Sequence, residues 1–180
     1  MTCYYLDTEF IEDGHTIDLL SIGVVCEDGR EFYAESADAD LLCANDWVKA
    51  NVLPYLGRWD EHDDPIEPWS RPEIAQGLVE FVAEGDGQPE YWGYYADYDW
   101  VAVAQLFGTM MDLPDGWPMF CMDLKQLAVS LGDPQLPEQT STEHHALADA
   151  HWNRDVHLWL LDYATGDLDR HSTKGASSDG

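Results

Sequence analysis

The chain has 180 residues and a mass of 20.4 kDa, which allows one domain with a sizeable core but not two comfortable ones. Hydrophobic residues make up 45% of it, so we expect a folded domain. Thirty-six acidic and eight basic residues give a net charge of −28, and this excludes the broad basic surface with which nucleic-acid-binding proteins usually meet phosphates.

Two physical effects reconcile this acidity with a polyanionic partner. Bound metal ions neutralise both site carboxylates and phosphates, and at ~1 M salt the screening length falls to about 3 Å. Our hypothesis, from charge alone, is that the protein works in a salt-rich cytoplasm. Loss of folding or activity in low salt would support this hypothesis, whereas full activity at ~0.1 M salt would count against it.

The cysteines and the apolar runs bear on location. The four cysteines lack metal-ligand spacing, and Cys3 and Cys26 fall in predicted buried strands, as reduced thiols do. The start of the chain has no basic and apolar leader, and no run approaches ~20 apolar residues. We therefore expect a soluble, cytoplasmic protein that makes no membrane contact.

Three strands are predicted first, and Asp28-Gly29 is a strong hairpin signal between the second and the third. Their ranges are Tyr4 to Phe10, Ile17 to Glu27 and Arg30 to Ser36. A short helix over 41–52 and an acidic surface loop over 57–72 follow. The later elements are a helix over 73–84, a strand over 90–95, a helix over 99–107, a strand over 119–122, a helix over 124–131 and a last helix that a capping box of Thr140 and Glu143 begins and that ends near Tyr163.

This order predicts an α/β fold. Three antiparallel strands followed by β-α units describe a mixed sheet with helices on both faces. We expect one domain over residues 1–163. Residues 164–180 are rich in Asp, Ser and Gly, and they are predicted to form an acidic, disordered tail.

Asp7 and Glu9 lie at the end of the first predicted strand. Residues two apart in a strand share a face, so the two carboxylates lie side by side while Leu6 and Thr8 point the other way. Carboxylates held that close repel each other unless a cation lies between them, and oxygen ligands favour Mg²⁺ or Mn²⁺. An Asp-x-Glu pair also arises by chance among 36 acidic residues, but its place in an apolar strand favours a metal site.

Two further segments can supply carboxylates to this site. The junction between the fourth predicted strand and its helix offers Asp97 or Asp99, at the edge where sites of α/β sheets gather. On the last predicted helix, Asp149 interrupts a small apolar run, so we expect it to face the sheet. His144 and His145 precede it, and His145 shares its helical face. The spacing alone leaves two candidates for the acid and two for the histidine.

Three motifs together resemble the DEDDh family of 3'-to-5' exonucleases, which have a ribonuclease H-like fold. The motifs are Asp7-Thr8-Glu9-Phe10, Tyr98-Asp99 and His144-His145-Ala146-Leu147-Ala148-Asp149-Ala150. Their order and the intervening lengths fit, so the resemblance covers residues 3–163. The stretch from Asp7 to Ile17 and the following Leu-Ser-Ile-Gly-Val-Val resemble the exoribonuclease AS subfamily, which trims RNA 3' ends, including adenylate tails.

The resemblance implies catalysis by two Mg²⁺ ions, for which Mn²⁺ can substitute. Asp7 would bridge both ions. Glu9 and Asp149 would complete the ligands of the first ion, and Asp99 would hold the second. Two such ions stabilise the attacking and the leaving oxygen of an in-line phosphoryl displacement.

The resemblance also selects between the open candidates. The family places an aromatic residue just before its acid, as Tyr98 is here, which favours Asp99 over Asp97. Its histidine lies five residues before the last aspartate, so His144 would be the general base and His145 would face outward. The chain departs from the family at Tyr95, where an Asn is frequent.

Three residues are expected to bind substrate. Following the family, Phe10 would pack near the terminal base, and Thr8 lies between the two acids beside it. Trp100 can stack on a base, since aromatic stacking is tolerant of base identity. A core position is the alternative for both aromatic residues.

The expected activity is hydrolysis of single-stranded RNA from its 3' end to nucleoside 5'-monophosphates, by a homodimer as the subfamily implies. One alternative is a DNA exonuclease of the same fold, because no motif here reports recognition of the 2'-OH. The other is an inactive nucleic-acid-binding module. All five catalytic positions are filled, which argues against the inactive module.

Overall fold

The computed structural model describes residues 1–57, 66–141 and 143–166. The strands in these ranges are β1 Thr2–Glu12, β2 Ile17–Cys26, β3 Glu31–Glu35, β4 Pro89–Gly93 and β5 Met122–Asp123. The α-helices are α1 Asp46–Asn51, α2 Arg71–Ala83, α3 Asp97–Phe107, α4 Leu124–Ser130 and α5 Ala146–Thr165. None of the helices in the described ranges combines the length and the apolarity needed to cross a membrane.

The strands form one sheet in the order β3-β2-β1-β4-β5. The pairs β1–β2 and β2–β3 are antiparallel, whereas β4 runs parallel to β1 and β5 parallel to β4. Helices α2 and α3 supply the crossovers that parallel strands require. The predicted mixed sheet, with its antiparallel strands first, is confirmed.

Helices cover both faces of the sheet because apolar residues of β1 alternate between the two sides. Tyr4 and Leu6 pack in a cluster with residues of α2 and α3, which include Ile74, Leu78 and Val103. Tyr5 packs in a second cluster with residues of α4 and α5, which include Leu124, Ala128, Val156 and Leu160. The central strand is therefore buried on both faces, as the strands of parallel sheets usually are.

A third, smaller cluster holds α1 on the sheet. Val48 and Val52 pack there with Ile11 of β1 and Leu20 of β2. The N-cap residue Asn45 supports the helix, since its side chain accepts a hydrogen bond of 2.9 Å from the Val48 N–H. The helix predicted over 41–52 is thus a 3-10 turn, Leu41–Cys43, followed by α1.

The start of the last helix differs from the prediction. Helix α5 begins at Ala146, and His145 is its N-cap residue. The prediction that the helix begins at a capping box of Thr140 and Glu143 is therefore wrong. The physical reason is the backbone of His144, whose φ of +63° is incompatible with a right-handed helix. The residues before α5 therefore form a loop that carries Glu143 and His144.

Two predicted segments fall partly outside the described residues. The acidic loop over 57–72 is described only at Gly57 and from residue 66 onward, and within it Trp69 makes a parallel bridge to Ser36. Helix α5 runs to Thr165, two residues into the predicted tail, and the tail beyond Gly166 lies outside the described ranges. The domain boundary at residue 163 stays a prediction.

Candidate active site

Strand β1 presents Asp7 and Glu9 on the face of the sheet that α5 covers. Asp7 is paired with Gly23 and Glu9 with Ser21 of β2, and the register shifts between Glu9 and Phe10. Such bulges are frequent next to active sites, where they redirect a side chain. The two carboxylates therefore lie on one face at a point where regular pairing is interrupted.

Helix α5 reaches these carboxylates because Gly23 has no side chain. A Cβ at Gly23 would lie 2.4 Å from the backbone of Ala146 and of Leu147, so any larger residue would push the start of the helix away. About two turns further along α5, the buried Asn153 donates a hydrogen bond of 2.9 Å to the carbonyl of Leu6. Close packing at both points brings the first turn of α5, which carries Asp149, next to Asp7 and Glu9 of β1.

Asp99 comes from the opposite side, on the first turn of α3. Its Oδ1 accepts two hydrogen bonds from Thr8, one from the hydroxyl at 2.6 Å and one from the N–H at 2.9 Å. The start of α3 is held in turn by Asp123, whose Oδ2 accepts a hydrogen bond of 2.9 Å from the Ala96 N–H. The carboxylate of Asp99 is thereby fixed beside the two acids of β1.

These side chains meet in one cleft of about 360 Å³. Its lining residues are Asp7, Thr8, Glu9, Phe10, Trp47, Tyr94, Tyr95, Tyr98, Asp99, His144 and Asp149. The closest group in it consists of Glu9, His144 and Asp149, whose potential ligand atoms all lie within 4.8 Å of one another. The structure thus brings together all five residues that the motifs named as catalytic.

The carboxylates in this cleft have raised pKa values because they are buried together. Burial raises the pKa of Glu9 to about 8, and the charges of Asp149 and Asp99 add to the effect. Burial, followed by repulsion from the three neighbouring carboxylates, holds the pKa of Asp7 well above its ordinary range. Burial raises the pKa of Asp99 to about 6, although the donors of Thr8 oppose it, and burial also raises the pKa of Asp149.

The donor set fits divalent cations. Each carboxylate is held where its charged form is unfavourable, and a cation among them would remove that penalty. The side chains of Asp7, Glu9, Asp99 and Asp149 offer only oxygen atoms, the ligands that Mg²⁺ and Mn²⁺ prefer. A buried cluster of acids without a cation would instead destabilise the fold at neutral pH.

The structure separates the alternative candidates in space. Asp97 is exposed, whereas Asp99 is 6% exposed and lines the cleft. His144 lines the cleft, whereas His145 stacks on Tyr33 of β3 with ring centroids 4.8 Å apart. The expectation that His145 faces outward was wrong, because its ring packs on the sheet as α5 begins.

The three residues expected to bind substrate differ in position. Phe10 lines the cleft and stacks on Tyr98, with centroids 5.9 Å apart and an interplanar angle of 11°. Thr8 is 5% exposed, and its hydroxyl is engaged with Asp99. Trp100 corrects the prediction, since it is 7% exposed and packs on Tyr91 in the core, where no base can reach it.

Four further residues of the site did not emerge from the motifs. Trp47 and Tyr94 line the cleft from distant parts of the chain, and Tyr95 does so from a left-handed backbone with φ of +58°. The side-chain amide of Gln139 donates a hydrogen bond to Asp149. Only Tyr95 carried a signal in the sequence, as the departure from the Asn that is frequent there.

Comparison with known proteins places the chain in a family. Residues 2–160 match the model of the family described as the 3'-5' exoribonuclease Rv2179c-like domain. This chain belongs to that family. Two relatives from Mycobacterium tuberculosis, strains CDC 1551 / Oshkosh and ATCC 25618 / H37Rv, are named 3'-5' exoribonucleases. Each is 45% identical to this chain over 149 residues, which cover 82% of this chain and 86% of the relative. The resemblance to 3'-to-5' exonucleases is thus confirmed.

Solved structures agree with this family in fold. The S. pombe Pop2p in its Mg²⁺- and Mn²⁺-bound form is similar with a TM-score of 0.52 and 11% identity, over 89% of this chain and 82% of that one. The Neurospora crassa Pan2 catalytic unit has a TM-score of 0.50 and 14% identity, over 99% of this chain and 30% of that one. At such identities the likeness concerns the fold alone, and the predicted ribonuclease H-like fold is confirmed.

Proposed function

We propose that this exoribonuclease-family chain shortens single-stranded RNA from its 3' end and releases nucleoside 5'-monophosphates with the help of two divalent cations. The observation that carries the proposal is the convergence of Asp7, Glu9, Asp99 and Asp149 with His144 in one cleft. Four acids and a potential base in one buried site destabilise the fold, and a purely structural role gives no reason to group them there.

The carboxylates would hold the cations, with Asp7 central because it is repelled by all three other acids. Glu9 and Asp149 would share one cation and Asp99 would hold the other. When bound, Mg²⁺ or Mn²⁺ would stabilise the negative charge that develops during an in-line phosphoryl displacement.

His144 would act as the general base. Imidazole is the side chain best suited to accept a proton at neutral pH, and His144 lies beside the two acids that would share the first cation. It would take a proton from the attacking water as the water oxygen bonds to phosphorus. The bond between phosphorus and the 3' oxygen of the preceding nucleotide then breaks, and that oxygen takes up a proton.

Hydrolysis of 5'-labelled single-stranded oligonucleotides tests the proposal. With Mg²⁺ or Mn²⁺, we expect an RNA ladder that shortens from the 3' end and disappears with a chelator. Matched DNA measures the preference for the sugar, and homopolymers test whether adenylate tails are preferred, as the resemblance implies. Preferential cleavage of DNA would change the substrate, and no metal-dependent cleavage of either polymer at any salt concentration would contradict the catalytic role.

Two further expectations concern the protein in solution and in the cell. The homodimer expected from the resemblance is tested by light scattering of the purified chain. The cytoplasmic location expected from the cysteines is tested by cell fractionation. Both stay predictions.

A further inference from the structure

Trp47 of α1 contacts the proposed base of the reaction. Its ring and that of His144 have centroids 4.8 Å apart and planes at 78°, an edge-to-face arrangement. Trp47 is nevertheless 53% exposed, so burial of the indole in the core does not account for its place. Both residues line the cleft that holds the carboxylates.

His144 gains from such a contact because helix packing does not orient its imidazole. It precedes α5 and lies outside the helix, with a φ of +63° that few residues other than glycine adopt. A side chain on a loop of this kind takes its orientation from its neighbours.

Trp47, in contrast, is attached to a rigid part of the fold. Helix α1 is capped by Asn45, and its Val48 and its C-cap residue Val52 are buried in one cluster with Ile11 of β1. The backbone that carries Trp47 is therefore held in place relative to the strand that carries the two carboxylates of the first motif. An aromatic side chain on an anchored helix, in contact with a loop histidine, is the arrangement expected of a support.

We propose that Trp47 is a positioning residue, which holds the imidazole of His144 toward Glu9 and Asp149. The inference rests on the proposed function, because it assigns Trp47 a role through His144 as the base. It predicts that loss of the indole slows the chemical step and leaves RNA binding unchanged.

Single-turnover hydrolysis of a labelled RNA separates chemistry from binding. We expect Trp47→Ala to lower the rate constant at saturating enzyme on the order of tenfold, since a misplaced base loses part of its contribution. The dissociation constant for RNA should stay within about twofold of wild type. Trp47→Phe should restore most of the rate because it keeps an aromatic ring, whereas Trp47→Leu should be as slow as Trp47→Ala.

A double-mutant cycle with His144→Ala tests whether Trp47 acts through the histidine. We expect Trp47→Ala to have no further effect once the imidazole is gone. An equal loss in both backgrounds would overturn the inference, as would a fully active Trp47→Ala protein or one in which only RNA binding weakens. If His144→Ala itself kept the wild-type rate, the base assignment under the proposed function would fail instead.

Two controls accompany the cycle. Leu42→Ala alters another apolar residue near α1, 91% exposed and outside the cleft, and it should keep the wild-type rate. Thermal unfolding of each variant establishes that the slow proteins are folded. Because Trp47 is half exposed, its replacement should lower the melting temperature by only a few degrees.

Discussion

Glu9 of β1 and Glu35 of β3 lie at the two ends of a row of three paired residues, and their surroundings are opposite. Glu9 pairs with Ser21, and Ser21 pairs with Glu35, so the three side chains share a face. Both glutamates are buried, at 8% and 5% exposure. The Glu35 carboxylate accepts hydrogen bonds from the Gly57 N–H at 2.8 Å and from the Tyr33 hydroxyl at 2.9 Å.

Glu9, in contrast, faces other acids. Asp149 and Asp99 repel its charged form, whereas the neighbours of Glu35 include hydrogen-bond donors. A buried carboxylate that is paired with donors contributes to the fold, and one that is grouped with other carboxylates costs stability until a cation arrives. Burial alone therefore does not identify a functional acid, and the identity of its neighbours does.

The largest difference should appear in activity. We expect Asp7→Asn, in the acidic cluster, to lower the rate of RNA hydrolysis on the order of 10³-fold, because the proposed cations would lose their central ligand. Glu35→Gln, at the other end of the row, should keep the rate within about twofold, since the amide oxygen still accepts a hydrogen bond. Comparable losses of hydrolysis rate in both variants, measured on labelled RNA, would contradict the distinction between the acidic cluster and Glu35.

Glu35 should matter for stability, although it matters little for activity. Glu35→Ala should lower the free energy of unfolding by about 2–3 kcal/mol, because the donors of Tyr33 and Gly57 lose their partner. Urea denaturation at constant salt measures it. As a control, Glu84→Ala removes an exposed ion pair with Arg30 and should cost less than about 1 kcal/mol. A Glu35→Ala protein as stable as that control would contradict the structural role.

Added Mg²⁺ should stabilise the wild-type protein. At a concentration of about 100 times the dissociation constant, a cation that binds only the folded state adds about 2.7 kcal/mol, or roughly 5–10 °C in melting temperature. The gain should vanish with a chelator and in Asp7→Asn, and it should persist in Glu35→Gln. Sodium chloride at equal ionic strength controls for general screening, and an equal rise with it would argue against a specific site.

The smallest effect concerns pH in the absence of divalent cations. The pKa of Glu9 is about 8 in the folded protein, above its ordinary value of 4.5. Its contribution to stability is therefore complete below pH 4.5 and is lost as the pH rises through 8. Glu9→Gln should exceed wild type in free energy of unfolding by about 1–2 kcal/mol at neutral pH. Urea denaturation at pH 5 and pH 8 checks this, and an unchanged difference would refute it.

Residues close in sequence were the most predictable part of the site. Asp7 and Glu9 share a strand, and the alternation of side chains sufficed to place both on one face. The sequence pattern, in contrast, predicts one helix through His144 and Asp149, and the left-handed backbone of His144 breaks that helix. Helical periodicity places His145 on the face of Asp149, whereas the family resemblance favours His144.

The sequence by itself determined the mixed sheet, the order of the elements and the family, because these depend on local periodicity and on motifs in fixed order. Only the tertiary structure decided that Trp100 lies in the core, that Trp47 reaches His144 and that Glu35 has donors. Each of these depends on segments far apart in the chain, and Gly23 is needed to let α5 approach the sheet. Local sequence patterns do not predict these contacts, because the packing between distant elements determines them.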